Sequence, residues 1–270
     1  MASHSSTEAN GAFLPPPVQS SPGPRPAATT SLLPEQRTYP LRPGSMKETA
    51  VINHIDESIL SINRRHAKKF SSSYYVVDQP ASERGYEGFD EVAKDIETII
   101  DLLWVTGTPS LQIPYLISLA VMVNSYIPDF PFSPKQTFSL LKKLDFVFAS
   151  LLLGHDAETG APLSGFDTRH NIVSMTEKVR IKSIAESCRV TVVEALERED
   201  DPDGDKDEDD DDDGDEMTDD DNYPSRDLDE GPSQWQMEAA RVYERTIQLL
   251  GDELGRQGEV CGSSIPSGPA

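Results

Sequence analysis

Cysteine is nearly absent from this chain: there are two, Cys188 and Cys261, far apart and in unlike contexts. Two isolated thiols build neither a disulfide framework nor a thiolate metal site, and they point to a reducing compartment. Histidine is almost as scarce. His4, His54, His66, His155 and His170 form no His-Glu-x-x-His pair and no other ligand spacing for a metal. No Gly-x-Ser-x-Gly nucleophile elbow is present. Nor is there a Gly-x-x-x-x-Gly-Lys-Ser/Thr loop to cradle nucleotide phosphates, since the stretch 107–110 lacks the second glycine and the lysine. The expected catalytic, cofactor-binding and metal-binding residues are therefore none, and no enzyme is expected. Basic residues are also few, 24 Lys and Arg against 47 Asp and Glu. Phosphate contacts need clustered cations, so no direct nucleic-acid binding is expected. The first residues show no charged segment followed by an apolar one, and Arg is sparse before residue 25, so no secretory or mitochondrial leader is expected. A nuclear or cytoplasmic location follows.

The acidic excess is concentrated. Of the net charge of −23, residues 199–221 supply −16 (17 acids against Lys206), which leaves −7 for everything else. This tract repels itself and reads as a disordered spacer over 199–232. Residues 1–45, rich in Pro, Ser, Thr and Ala, read as a disordered tail, and so do the Gly/Ser/Pro-rich residues 256–270. Between them lies a predicted all-α domain, 46–198, a compact bundle of about five helices, followed by an amphipathic C-terminal helix over 233–255.

The densest apolar stretch, 89–154, organises that domain. Helices are predicted over 46–69 (stripe Val51, Ile52, Ile55, Ile59, Ile62), 89–105, 110–127, 134–153 and 174–198. Gly107 is placed to end the second helix in a left-handed conformation, and Gly154 the fourth. Thr108-Pro109 reads as an N-cap with Pro at the first helical position, with Pro114 in or near the first turn. Ser133 with Gln136 and Ser174 with Glu177 fit capping boxes. Residues 74–77 read as extended chain. The third helix is apolar almost all round, which fits either a bundle centre or a membrane anchor. Its 17 apolar-rich residues (111–127), interrupted by Gln112, Pro114 and Asn124, fall short of the roughly 20 a span needs, so no membrane span is expected. Cys188 falls on the apolar stripe of the fifth helix, which predicts an inert, buried thiol.

Two places carry interaction signals. Arg64, Arg65, Lys68 and Lys69 resemble a short basic nuclear-import signal, and equally suit the negative end of a helix macrodipole. Trp235, Val242, Tyr243 and Leu250 stripe the C-terminal helix and form a candidate partner-docking face. Asp209, Asp211, Asp213 and Gly214 match the opening of a calcium loop, a match that a poly-Asp tract supplies by composition alone.

The run Trp104–Leu116, with Ser61–Phe70 ahead of it, resembles a family of small fungal helical proteins of uncertain role, some of whose members carry a meiotic recombination label. The resemblance covers residues 50–197. With no nucleotide loop for strand exchange, it implies an accessory role and no catalytic residue. The leading expectation is thus a non-catalytic interaction subunit or adaptor of a nuclear complex with protein partners. The alternative is a chaperone-like binder of basic proteins that uses the acidic tract 199–221 itself.

Overall fold

The computed structural model describes residues 32–70, 84–166, 172–200 and 234–261, with side chains described up to residue 254 in the last segment. The chain divides into a unit Met1–Leu32, of which only the last residue is described, and a unit Leu33–Ala270 that carries all the elements below. The expectations for 71–83, for most of the acidic tract and its calcium-loop match, and for the two far termini fall outside the described residues.

The fold is all-α. Seven α-helices occur among the described residues: α1 Met46–Lys69, α2 Phe89–Thr106, α3 Pro109–Tyr126, α4 Pro134–Leu153, α5 Met175–Asp200, α6 Gln234–Ala240 and α7 Glu244–Cys261, with one 3-10 turn at Ile127–Asp129. The chain pattern 45–48, Ser-x-x-Glu, starts α1. The Ser45 hydroxyl accepts the Glu48 N–H at 3.2 Å, while the Glu48 carboxylate reaches back to the Gly44 N–H. Asp90 and Glu91 in the first turn of α2 suit the positive end of its dipole. The box at Ser174 forms as expected, with Glu177 accepting from the Ser174 N–H at 2.7 Å. The one expected at Ser133 does not. Its φ of −111° and ψ of 85° lie off the extended cap conformation, and no side-chain cap bond is made; Pro134 alone opens α4.

Helix α3 is the central element. Leu116, Leu119 and Val123 are fully buried, and its neighbours are α2, α4 and α5. With the 3-10 turn it extends over 21 residues, Pro109–Asp129, long and apolar enough to cross a membrane by length and composition, so its length does not argue against a span as expected. Packing inside the bundle accounts for that apolar character. Pro114, the sixth helical residue, lies just past the first turn, near where it was expected, and deprives the Ser110 carbonyl of its helical donor.

Two other expectations change. The stretch 33–45, read as part of a disordered tail, is bound to the bundle: Leu33 and Leu41 are buried, and the Arg37 N–H donates to the Val105 carbonyl at 3.2 Å. The single C-terminal helix is two. The Arg241, Val242 and Glu244 N–H groups each donate to the carbonyl three residues earlier, which tightens the chain between α6 and α7, and Tyr243 takes φ +53°. That left-handed conformation is uncommon for an aromatic residue and costs on the order of 1–3 kcal/mol. Burial of the Tyr243 ring beside Phe148 (centroids 6.2 Å apart) offsets it.

Polar hooks seat α7 on the bundle. Asp145, buried on α4, accepts from Thr246 through both the backbone N–H (2.9 Å) and the hydroxyl (2.7 Å). Lys178 of α5 pairs with Glu253 of α7. Thr246→Val keeps the shape and deletes one donor to a buried carboxylate. We predict a loss of about 1.5–3 kcal/mol in urea unfolding, with the m-value unchanged.

Candidate functional site

The end of α1 brings several polar and charged side chains together. Arg65 lies nearly inside the fold: its guanidinium donates to Asp95 at 2.8 Å, pairs with Glu91 at 2.5 Å and sits 3.9 Å from the centroid of the Tyr86 ring. His66 stacks on Tyr126 at 3.7 Å and its Nε2 lies 2.8 Å from Asp129. Lys69 Nζ lies 3.8 Å from the Phe130 ring centroid. One helical turn thus places three nitrogen-bearing side chains against three aromatic rings, an arrangement worth more than the salt bridges alone. Burial, reinforced by the bond that Tyr86 donates to Asp95, pushes the Tyr86 phenol well above its ordinary range.

This geometry divides the expected import signal. Arg64 and Lys68 are exposed, whereas Arg65 and Lys69 turn into the bundle. A receptor reading four adjacent cations from this helix would have to break the ring contacts first. The docking face expected on the C-terminal helix is likewise taken up internally. Val242, Tyr243 and Leu250 are at most 4% exposed, and Trp235 stacks on Phe138 of α4 at 5.8 Å. That apolar stripe therefore joins α6 and α7 to their own bundle. Its spacing was legible in the sequence, but its partner was not.

Cys188 is 1% exposed, and burial raises its thiol from 9.0 to about 12. The Asp156 carboxylate beside His155 is occupied by the Glu158 and Thr159 N–H groups of its own turn. No group of three or more His, Cys, Asp or Glu among the described residues is arranged to hold a metal ion.

The sequence did not reveal the clefts. One, of about 440 Å³, is an open groove between α1 and α2, lined by Ile62, Ile99 and Leu102 and by His54, Ser58, Ser61 and Thr98. Arg65 and Asp95 close one end of it. Two smaller clefts lie between the 40–43 segment and the start of α3 (about 350 Å³) and between α4 and the α6–α7 turn (about 250 Å³).

Comparison with known families decides what this bundle is. Residues 85–251, from just before α2 into α7, match the family model TFB6, described as subunit 11 of the general transcription factor TFIIH. The chain belongs to the TFB6 family. An uncharacterized protein of Schizosaccharomyces pombe is 24% identical over 148 residues, covering 53% of this chain and 75% of that protein. No solved structure matches. The meiotic recombination label is carried by neither match. The TFB6 match includes the helices α2 to α5 and the docked α6, and α1 lies outside it.

Two consequences are measurable. Arg65→Ala leaves Glu91 and Asp95 without their cation and should cost about 1–2 kcal/mol in chemical denaturation, discounted for the partly exposed carboxylates. Cys188 must ionise on unfolding once the pH exceeds 9.0, its ordinary value, but resists ionisation in the fold up to about 12. A raised folded pKa means that its contribution is fully present below pH 9 and fades as pH rises through this window. Cys188 alone should lower stability by up to about 1.4 kcal/mol per pH unit there, and Cys188→Ala should remove that share of the slope between pH 9 and 10, below the range where the buried tyrosines add their own.

Proposed function

We propose that this protein is a non-catalytic subunit of a TFIIH-type assembly in the nucleus, joined to it by protein–protein contact. The family match over residues 85–251 carries this reading. Three features of the bundle support it. The Cys188 thiol is buried and the Asp156 carboxylate is held by its own turn, so neither is presented to a substrate. The apolar helices close on one another around α3, so the bundle is a rigid body able to present a fixed surface. The long tether between α5 and α6 does not govern the reading, because α6 and α7 are seated by Asp145, Lys178 and the Phe138–Trp235 stack.

The test is affinity purification of the tagged full-length chain from its native cells at two salt concentrations, with mass spectrometry. TFIIH subunits should co-purify and persist at high salt. Recovery of only basic proteins that vanish at high salt would sink the reading in favour of the acidic tract. A chain in which 201–232 is replaced by a neutral Gly/Ser linker of equal length should retain the same TFIIH subunits.

A further inference from the structure

We propose that α6 and α7 form a releasable module: they close over α4 and α5 as a unit and detach as a unit, while α2 to α5 stay folded beneath them. The inference does not depend on the subunit reading above. It concerns the seat built around Asp145 and Tyr243.

Connectivity permits the motion. The module packs on α4 and α5, and these two helices pack in turn on α2 and α3 around the buried centre of the bundle. The apolar centre therefore keeps its own cover when the module leaves. Residues 201–233 separate the end of α5 from the start of α6. A connection of that length holds the module near its seat at an effective concentration on the order of mM, so a weak intrinsic contact is enough to keep it closed.

The seat is built at a cost. A permanently covered face is usually apolar, yet this one carries a carboxylate and an ammonium group. Asp145 is 8% exposed and Lys178 is 5% exposed with the module in place. Asp145 accepts from the Thr246 N–H and hydroxyl, and no cation pairs with it among the described residues. Lys178 pairs with Glu253 of α7. Closing strips water from both charges, and opening returns it.

Two further costs fall on Tyr243. Its backbone holds φ +53°, and its phenol is buried without a hydrogen-bond partner among the described residues. Both are relieved when the module lifts. The favourable contacts are the stack of Trp235 on Phe138, the packing of Tyr243 beside Phe148 and the burial of Leu250. Desolvated charge and local strain offset much of that gain at one place, which leaves a shallow closed state. Opening uncovers the Phe138–Phe148 side of α4, together with Asp145 and Lys178.

Cys188 reports the motion, because its thiol is buried close enough to the Tyr243 phenol for its charge to act on it. The experiment uses the full-length chain carrying Cys261→Ser. Under native conditions Cys188 should react with an aromatic disulfide reagent at least about tenfold faster than the globally unfolded population, measured by urea titration, allows. Tyr243→Phe, which deletes the unpaired hydroxyl, should slow that labelling about tenfold. Cutting the full-length chain at a protease site placed within 222–231 should make labelling faster on dilution, with most of the helical circular dichroism retained. Should Tyr243→Phe melt early, the cut chain decides. Labelling no faster than global unfolding allows, a cut chain that protects Cys188 equally at every dilution, or one that loses its helical signal on dilution would each overturn the proposal.

Discussion

The corner between α2 and α3 is the constraint on which the rest of the structure depends. Gly107 turns there at φ +53°, and a Cβ at that position would lie 2.7 Å from the Cβ of Ser164. Only glycine satisfies both conditions. The buried Gln112 side chain reaches back from α3 to donate to the Leu103 and Trp104 carbonyls at 3.2 and 3.3 Å, a second donor for each beside the Thr106 hydroxyl and the Gly107 N–H. Thr108 spends its hydroxyl outside a helix cap: it accepts the Leu41 N–H at 2.8 Å and donates to the Thr106 carbonyl at 3.0 Å. The 33–45 segment, the 163–165 loop and two core helices therefore converge on one turn.

That corner explains why Trp104–Leu116 is recognisable as a motif. The run contains the glycine that turns, the proline that starts α3, the glutamine that closes α2 and the tryptophan packed against Phe146. Each of these four residues answers a packing or backbone demand. A family signature of this kind identifies a scaffold, and function then resides on the surfaces that the scaffold holds in place.

The bundle is stabilised in two different ways along the chain. Around α3 the contacts are apolar and the side chains almost wholly buried. At α1 and α7, the elements nearer the ends, charged and hydroxyl groups fix orientation: Arg65 with Glu91 and Asp95, Asp56 with Tyr115, Asp145 with Thr246, and Lys178 with Glu253. Apolar burial supplies the larger energy, while these directional bonds select one seating for each outer helix.

Local sequence was enough to determine the helical class, the extents of α1 to α5 to within a residue or two, the two left-handed glycine stops and the inward stripe of α5 with Cys188. Each depends on near neighbours, through 3.6-residue periodicity, proline at a first turn or glycine beyond a last one. Tertiary structure alone decided the rest. The break at Tyr243 exists because the ring must enter the core where Thr246 meets Asp145, residues 101 positions apart. Arg65 and Lys69, which in sequence belong with Arg64 and Lys68, were parted from them by aromatic rings contributed by Tyr86 and Phe130. The stripe of Trp235, Val242, Tyr243 and Leu250 announced that it would be covered, but periodicity records which face of a helix is apolar and nothing of what covers it. That is settled by distant segments meeting in space, and here the cover is the chain's own α4 and α5.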